Sequence, residues 1–185
     1  MPSLVEKLVE IRKGVLSNRI ELSSALLHSQ HALAGLIPDG LVHWINRELL
    51  GYLDEERLGI SSKLDEINVE DLDDKLASIL PVYRTLPGLW LSWNPSDKNV
   101  PPTAVPGAIL CLRGVIEFEE TPVGEQVSTY VPVEYNEEKG FAFLCDARDI
   151  QEMRGRIRDR LVTFLDCVID YAQESSRTKM LPPGI

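Results

Sequence analysis

Residues 140–173, GFAFLCDARDIQEMRGRIRDRLVTFLDCVIDYAQ, contain the change of periodicity that decides the fold. Residues 140–144 are apolar and read as a short strand, whereas residues 147–173 hold no proline and change to helical spacing. There Ile150, Met153, Ile157, Leu161, Phe164, Leu165, Val168 and Tyr171 trace one apolar stripe, roughly seven turns long at 3.6 residues per turn. A stripe of that length needs a cover, either the N-terminal helices or a partner.

Upstream of this switch, Asn136-Glu137-Glu138-Lys139-Gly140 reads as a hairpin connection from a strand at 127–135, and residues 114–119 as a further short strand. The clearest extended stretches are 82–88 and 89–93, with Trp90 and Ser92 on one face; residues 94–106, with four prolines, read as a surface loop. Before residue 80 the signals are helical. Ser3 and Glu6 form a capping-box pattern ahead of a stripe of Leu4, Leu8, Ile11 and Val15. A second helix is predicted over 21–36 with Leu22, Ala25, Leu26, Ser29, Leu33 and Leu36 inward. Asp39 can cap a third, in which Leu41, Ile45 and Leu49 make one stripe and Trp44, Glu48 and Tyr52 an adjoining one, with Gly51 near its end. Residues 71–80 read as one more short helix, stopped by Pro81. The expected class is α+β: N-terminal helices and a long C-terminal helix packed around a small, mostly antiparallel β region. One domain is expected over residues 1–176, with a flexible tail at 177–185.

With 44% apolar and 26% charged residues in 185, the chain has the composition of a folding domain. Its net charge of −10 speaks against general nucleic-acid binding, which needs clustered cations to displace counterions. The acidic excess is concentrated: residues 54–74 hold nine carboxylates against Arg57 and Lys63. Residues 148–160 hold five arginines, of which Arg154, Arg156, Arg158 and Arg160 alternate by two and so spread around a helix as a solvated face. Cys111, Cys145 and Cys167 are widely spaced in apolar settings and read as buried free thiols. That usage, with neither a secretory leader nor a membrane-length apolar run, leads to the expectation of a cytoplasmic protein with no membrane partner.

No G-x-S-x-G elbow, phosphate-cradling loop, H-E-x-x-H or EF-hand pattern is present. His28, His31 and His43 lack a carboxylate or thiolate at convincing ligand spacing, so neither a metal nor a cofactor is expected. Glu48 is the sharper feature, because a carboxylate between Trp44 and Tyr52 on a core-facing stripe is costly unless paired. Arg84, after Tyr83, is the expected partner. The structural reading is a buried ion pair; the alternative is a ligand-binding or catalytic carboxylate in a cleft with Arg84. Trp90 and Trp93, beside the proline-rich loop, suit packing better than a binding surface.

The segment LVHWINRELLGY at 41–52 and LPVYR at 80–84 match a W-x-x-x-E-L-x-G-Y helix end and a downstream L-P-x-Y-R. On Trp44, Glu48, Leu49, Gly51, Tyr52, Leu80, Pro81, Tyr83 and Arg84 the chain resembles the AbiTii domain family, associated with abortive infection, a bacterial defence against phage. Leu50, where members commonly carry Asn, and the long acidic insert after Tyr52 depart from the pattern. The resemblance implies a defence setting and brings no catalytic residue set. The expected function is an interaction or effector domain acting by self-association or by binding a defence-system protein, with Met153, Ile157, Leu161 and Phe164 as the interface. The alternative is an enzymatic or nucleotide-responsive toxin with a cleft around Glu48 and Arg84.

Overall fold

A computed structural model describes residues 3–37, 39–52, 81–96, 100–119 and 130–179. The acidic segment 54–74 and the helix expected at 71–80 lie outside the described residues. The fold is α+β, with helices at both ends of the described chain and an antiparallel sheet between them in sequence.

Helix α1 (Leu4–Leu16) starts on the expected capping box: Glu6 N–H donates to Ser3 Oγ at 3.2 Å and Ser3 N–H to Glu6 Oε2 at 2.6 Å. Leu8, Ile11 and Val15 are buried as its spacing predicts. After the helix the chain folds back so tightly that a Cβ on Gly14 would lie 2.2 Å from the Ile20 side chain. Helix α2 (Leu22–Leu33) stops short of the predicted residue 36, and Gly35 adopts φ +70° just beyond it. Leu36 therefore leaves the inward stripe and is 60% exposed, while Leu22, Ala25, Leu26, Ser29 and Leu33 stay inside. Helix α3 (Asp39–Leu50) ends at Gly51, whose φ of +97° and N–H bond to the Arg47 carbonyl, 2.8 Å, close the last turn.

Beyond Pro81 the stretch read as extended opens with one 3-10 turn, Val82–Arg84, held by the Arg84 N–H on the Pro81 carbonyl at 2.8 Å. Strand β1 (Thr85–Ser92) follows, and β2 (Thr103–Leu110) occupies part of what reads in sequence as a proline-rich loop. Cys111 N–H bonds to the Arg84 carbonyl at 2.8 Å, which sets the phase of the β1–β2 ladder: odd residues of β2 bond to β1 and even ones turn outward. Pro106 falls on the outward phase of an edge strand, where its missing N–H interrupts no ladder bond. The sheet order is β2-β1-β4-β3, all antiparallel, with β3 (Tyr130–Asn136) and β4 (Phe141–Asp146) joined by the expected turn. Gly140, at φ +69°, closes that turn by donating to the Asn136 carbonyl at 3.0 Å.

The strand predicted at 114–119 is instead a short helix, α4 (Val115–Glu119). Glu117 reverses the local preference of Val115 and Ile116 for strand: its N–H meets the Gly114 carbonyl at 3.1 Å and its carboxylate accepts from Gly114 N–H at 3.2 Å. Helix α5 (Ala147–Lys179) begins immediately after β4, with Asp146 capping it by accepting from Arg148 N–H at 2.9 Å. Hydrogen bonds from the Arg148 guanidinium, Nη2 at 3.0 Å and Nε at 3.3 Å, together with that N–H bond hold the Asp146 carboxyl below the usual carboxylate range. The helix runs through Lys179, into the stretch expected as a tail.

The described chain forms two compact units. One takes α1, α2, α3, α4 and α5 from Gly155 onward; α2 packs on both α1 and α3, α4 on α2 and α3, and Arg12 of α1 is ion-paired with Asp166 of α5. Its core includes Leu8, Leu26, Leu33, Ile45, Ile157, Leu161 and Leu165.

The other takes Tyr52, the stretch through Arg113, strands β3 and β4, and α5 up to Arg154. Here Gly88 faces Gly107 across the β1–β2 ladder, and the two vacant side-chain positions are filled by rings. Phe143 lies over Gly88 and Trp90 over Gly107, and the two rings meet edge to face at 4.9 Å. Gly88→Ala would set a Cβ 2.2 Å from the Leu144 carbonyl oxygen, on backbone that the ladder holds in place. We expect a loss of about 1–3 kcal/mol for Gly88→Ala. Gly155→Ala, inside α5 with nothing within 4 Å, should instead stabilise by about 0.5–1 kcal/mol. Urea denaturation of both variants checks the opposite signs.

Candidate functional site

Trp44 and Glu48 sit one turn apart on α3, and Arg160 and Phe164 one turn apart on α5, so each helix offers the other a row of the same pitch. The Arg160 guanidinium lies 4.3 Å from the centre of the Trp44 ring, and its Nη1 is 3.5 Å from Glu48 Oε1. Trp44 meets Phe164 edge to face, with centroids 5.5 Å apart and planes at 85°. Glu48 has 0% side-chain exposure and Arg160 40%, so the arginine reaches in from the surface and brings positive charge to a carboxylate that has left water. Arg160 is thus no solvated-face residue. It is a partner of Glu48 that sequence reasoning did not name, because which arginine of α5 meets α3 depends on how the helices pack.

The end of α3 is held by a close approach of backbone to backbone. A Cβ on Gly114 would lie 2.3 Å from the Leu49 carbonyl oxygen and 2.7 Å from Gly51 N, so only glycine fits there.

In the second unit, Tyr52 is 3% exposed and its N–H bonds to the Leu112 carbonyl at 2.8 Å. Arg84 is 0% exposed; its Nη1 donates to the Arg113 carbonyl at 2.6 Å and its guanidinium stands 5.2 Å from the Tyr52 ring centre. Tyr83 is half-buried. Burial pushes the Cys111 thiol above its ordinary pKa, an effect that the neighbouring Arg84 and Arg113 oppose. Trp44, Glu48 and Gly51 belong to the first unit and Tyr52, Tyr83 and Arg84 to the second.

The residues expected as an association interface are placed differently. Met153, Ile157 and Leu161 are 1%, 0% and 0% exposed within this chain, so its own fold covers the α5 stripe and no partner is needed to do so. Phe164 is half-buried and packed against Trp44. Leu165 and Ile169 continue the buried stripe, and Tyr171 is off it at 71% exposure. Cys167, expected to be buried, is exposed because it falls between those two positions and points to the opposite face. Trp90 packs on Phe141 and Phe143, as the packing reading predicts.

His28 and His31 are exposed and line an open cleft of about 470 Å³ with Glu6, Lys7 and Glu10. Among the described residues no group of three or more His, Cys, Asp and Glu side chains is arranged to hold a metal ion. No protein-family model matches the chain, and neither a curated protein nor a solved structure matches it.

Replacing Arg160 with Met keeps the aliphatic stem and removes the charge. Because the Arg160 side chain is 40% exposed, the expected loss is about 1–3 kcal/mol, below that of breaking a fully buried pair. Combined with Trp44→Leu in a double-mutant cycle, it should cost less than the sum of the two single losses, and strict additivity would contradict the stacked arrangement.

The thiols give a second check. Burial, with Asp149, Cys111 and Asp146 adding to it, pushes Cys145 up from 9.0 to about 12. A raised folded pKa means that the folded state keeps a proton which the unfolded state releases, so this contribution to stability is intact below about 9 and lost as pH rises toward about 12. Denaturation of the wild type and Cys145→Ala across that range should show the shallower alkaline decline in the variant.

Proposed function

We propose that the chain is a non-enzymatic interaction or effector domain of a bacterial phage-defence system of the abortive-infection kind, acting in the cytoplasm by self-association or by binding a protein partner. The resemblance to AbiTii domains supplies the setting. The observation that carries the non-enzymatic reading is burial: Glu48 and Arg84 are 0% exposed and Tyr52 3%. A catalytic carboxylate has to meet substrate, whereas these side chains engage aromatic rings, a guanidinium and the Arg113 carbonyl. The net charge of −10 supports a protein partner over nucleic acid. Among the described residues no helix is long and apolar enough to cross a membrane.

Because the α5 stripe is covered internally, association has to use other surfaces. Exposed apolar side chains are available in both units, including Leu50 at 59% and Tyr171 at 71% in one and Val82 at 90% in the other. Light scattering after size exclusion should give a mass above that of the monomer, or a partner should co-purify from phage-infected cells. A strictly monomeric protein with no partner and no protection against phage would overturn the proposal. Leu161→Asp should unfold the chain and not merely dissociate it, since position 161 is 0% exposed; a folded Leu161→Asp monomer would return the interface to α5.

A further inference from the structure

We draw no further inference here: the strongest candidate, the outer edge of β2, where Thr103 through Ala108 are exposed, has nothing in the structure to show what covers it, and Pro106 removes a donor that an added strand would use.

Discussion

A carboxylate with no exposure to water is the constraint around which the helical unit is arranged. A carboxylate that gives up its hydration needs the protein to replace it, and Arg160 supplies part of that replacement for Glu48. The guanidinium reaches Glu48 while lying across the Trp44 ring, and the ring in turn meets Phe164 edge-on. Four side chains on two helices thereby fix each other, and a rotation of α3 by one residue would separate all of them. Hydrophobic burial of Ile45, Leu161 and Leu165 provides most of the driving force without specifying that rotation.

A related economy operates where the chain leaves α3. Gly51 turns out of the helix through a positive φ, and Gly114 approaches the Leu49 carbonyl near the helix end more closely than a residue with a Cβ can. In the sheet unit, Tyr52 and Arg84 meet as ring and cation, while the Arg84 carbonyl accepts from Cys111 and its guanidinium donates to Arg113. Arg84 thus ties the start of β1 to the chain leaving β2. Glu48 in one unit and Arg84 in the other are buried polar side chains with partners that their replacement would leave to be satisfied.

The helices and the α+β class were legible because their apolar residues repeat at helical spacing: α1, the stripe of α2 and the start of α5 follow from it, while α5 runs past the predicted residue 173 to Lys179. Strand signals misled wherever a local bond overrode propensity. Val115 and Ile116 favour a strand, yet the reciprocal bonds between Gly114 and Glu117 make a helix. The prolines before Leu110 suggested a loop, yet Pro106 is tolerated in β2 because the strand lies at an edge. Burial of Glu48 could be read from its aromatic flanks, but its partner Arg160 could not be distinguished from the other arginines of α5, since which of them meets α3 depends on how the helices pack. The same dependence hid the fate of Met153, Ile157 and Leu161, whose stripe reads identically whether the cover is internal or another molecule.

On the proposed reading, Glu48 and Arg84 hold the fold and do no chemistry. The most direct test of that reading is to measure denaturant stability and phage protection together for Glu48→Gln and Arg84→Met. If the residues are structural, both variants lose stability, by several kcal/mol where the lost charge leaves another buried one uncompensated, and protection falls only as far as the folded population does. A Glu48→Gln protein that is as stable as the wild type yet gives no protection would contradict this and make the carboxylate a functional group.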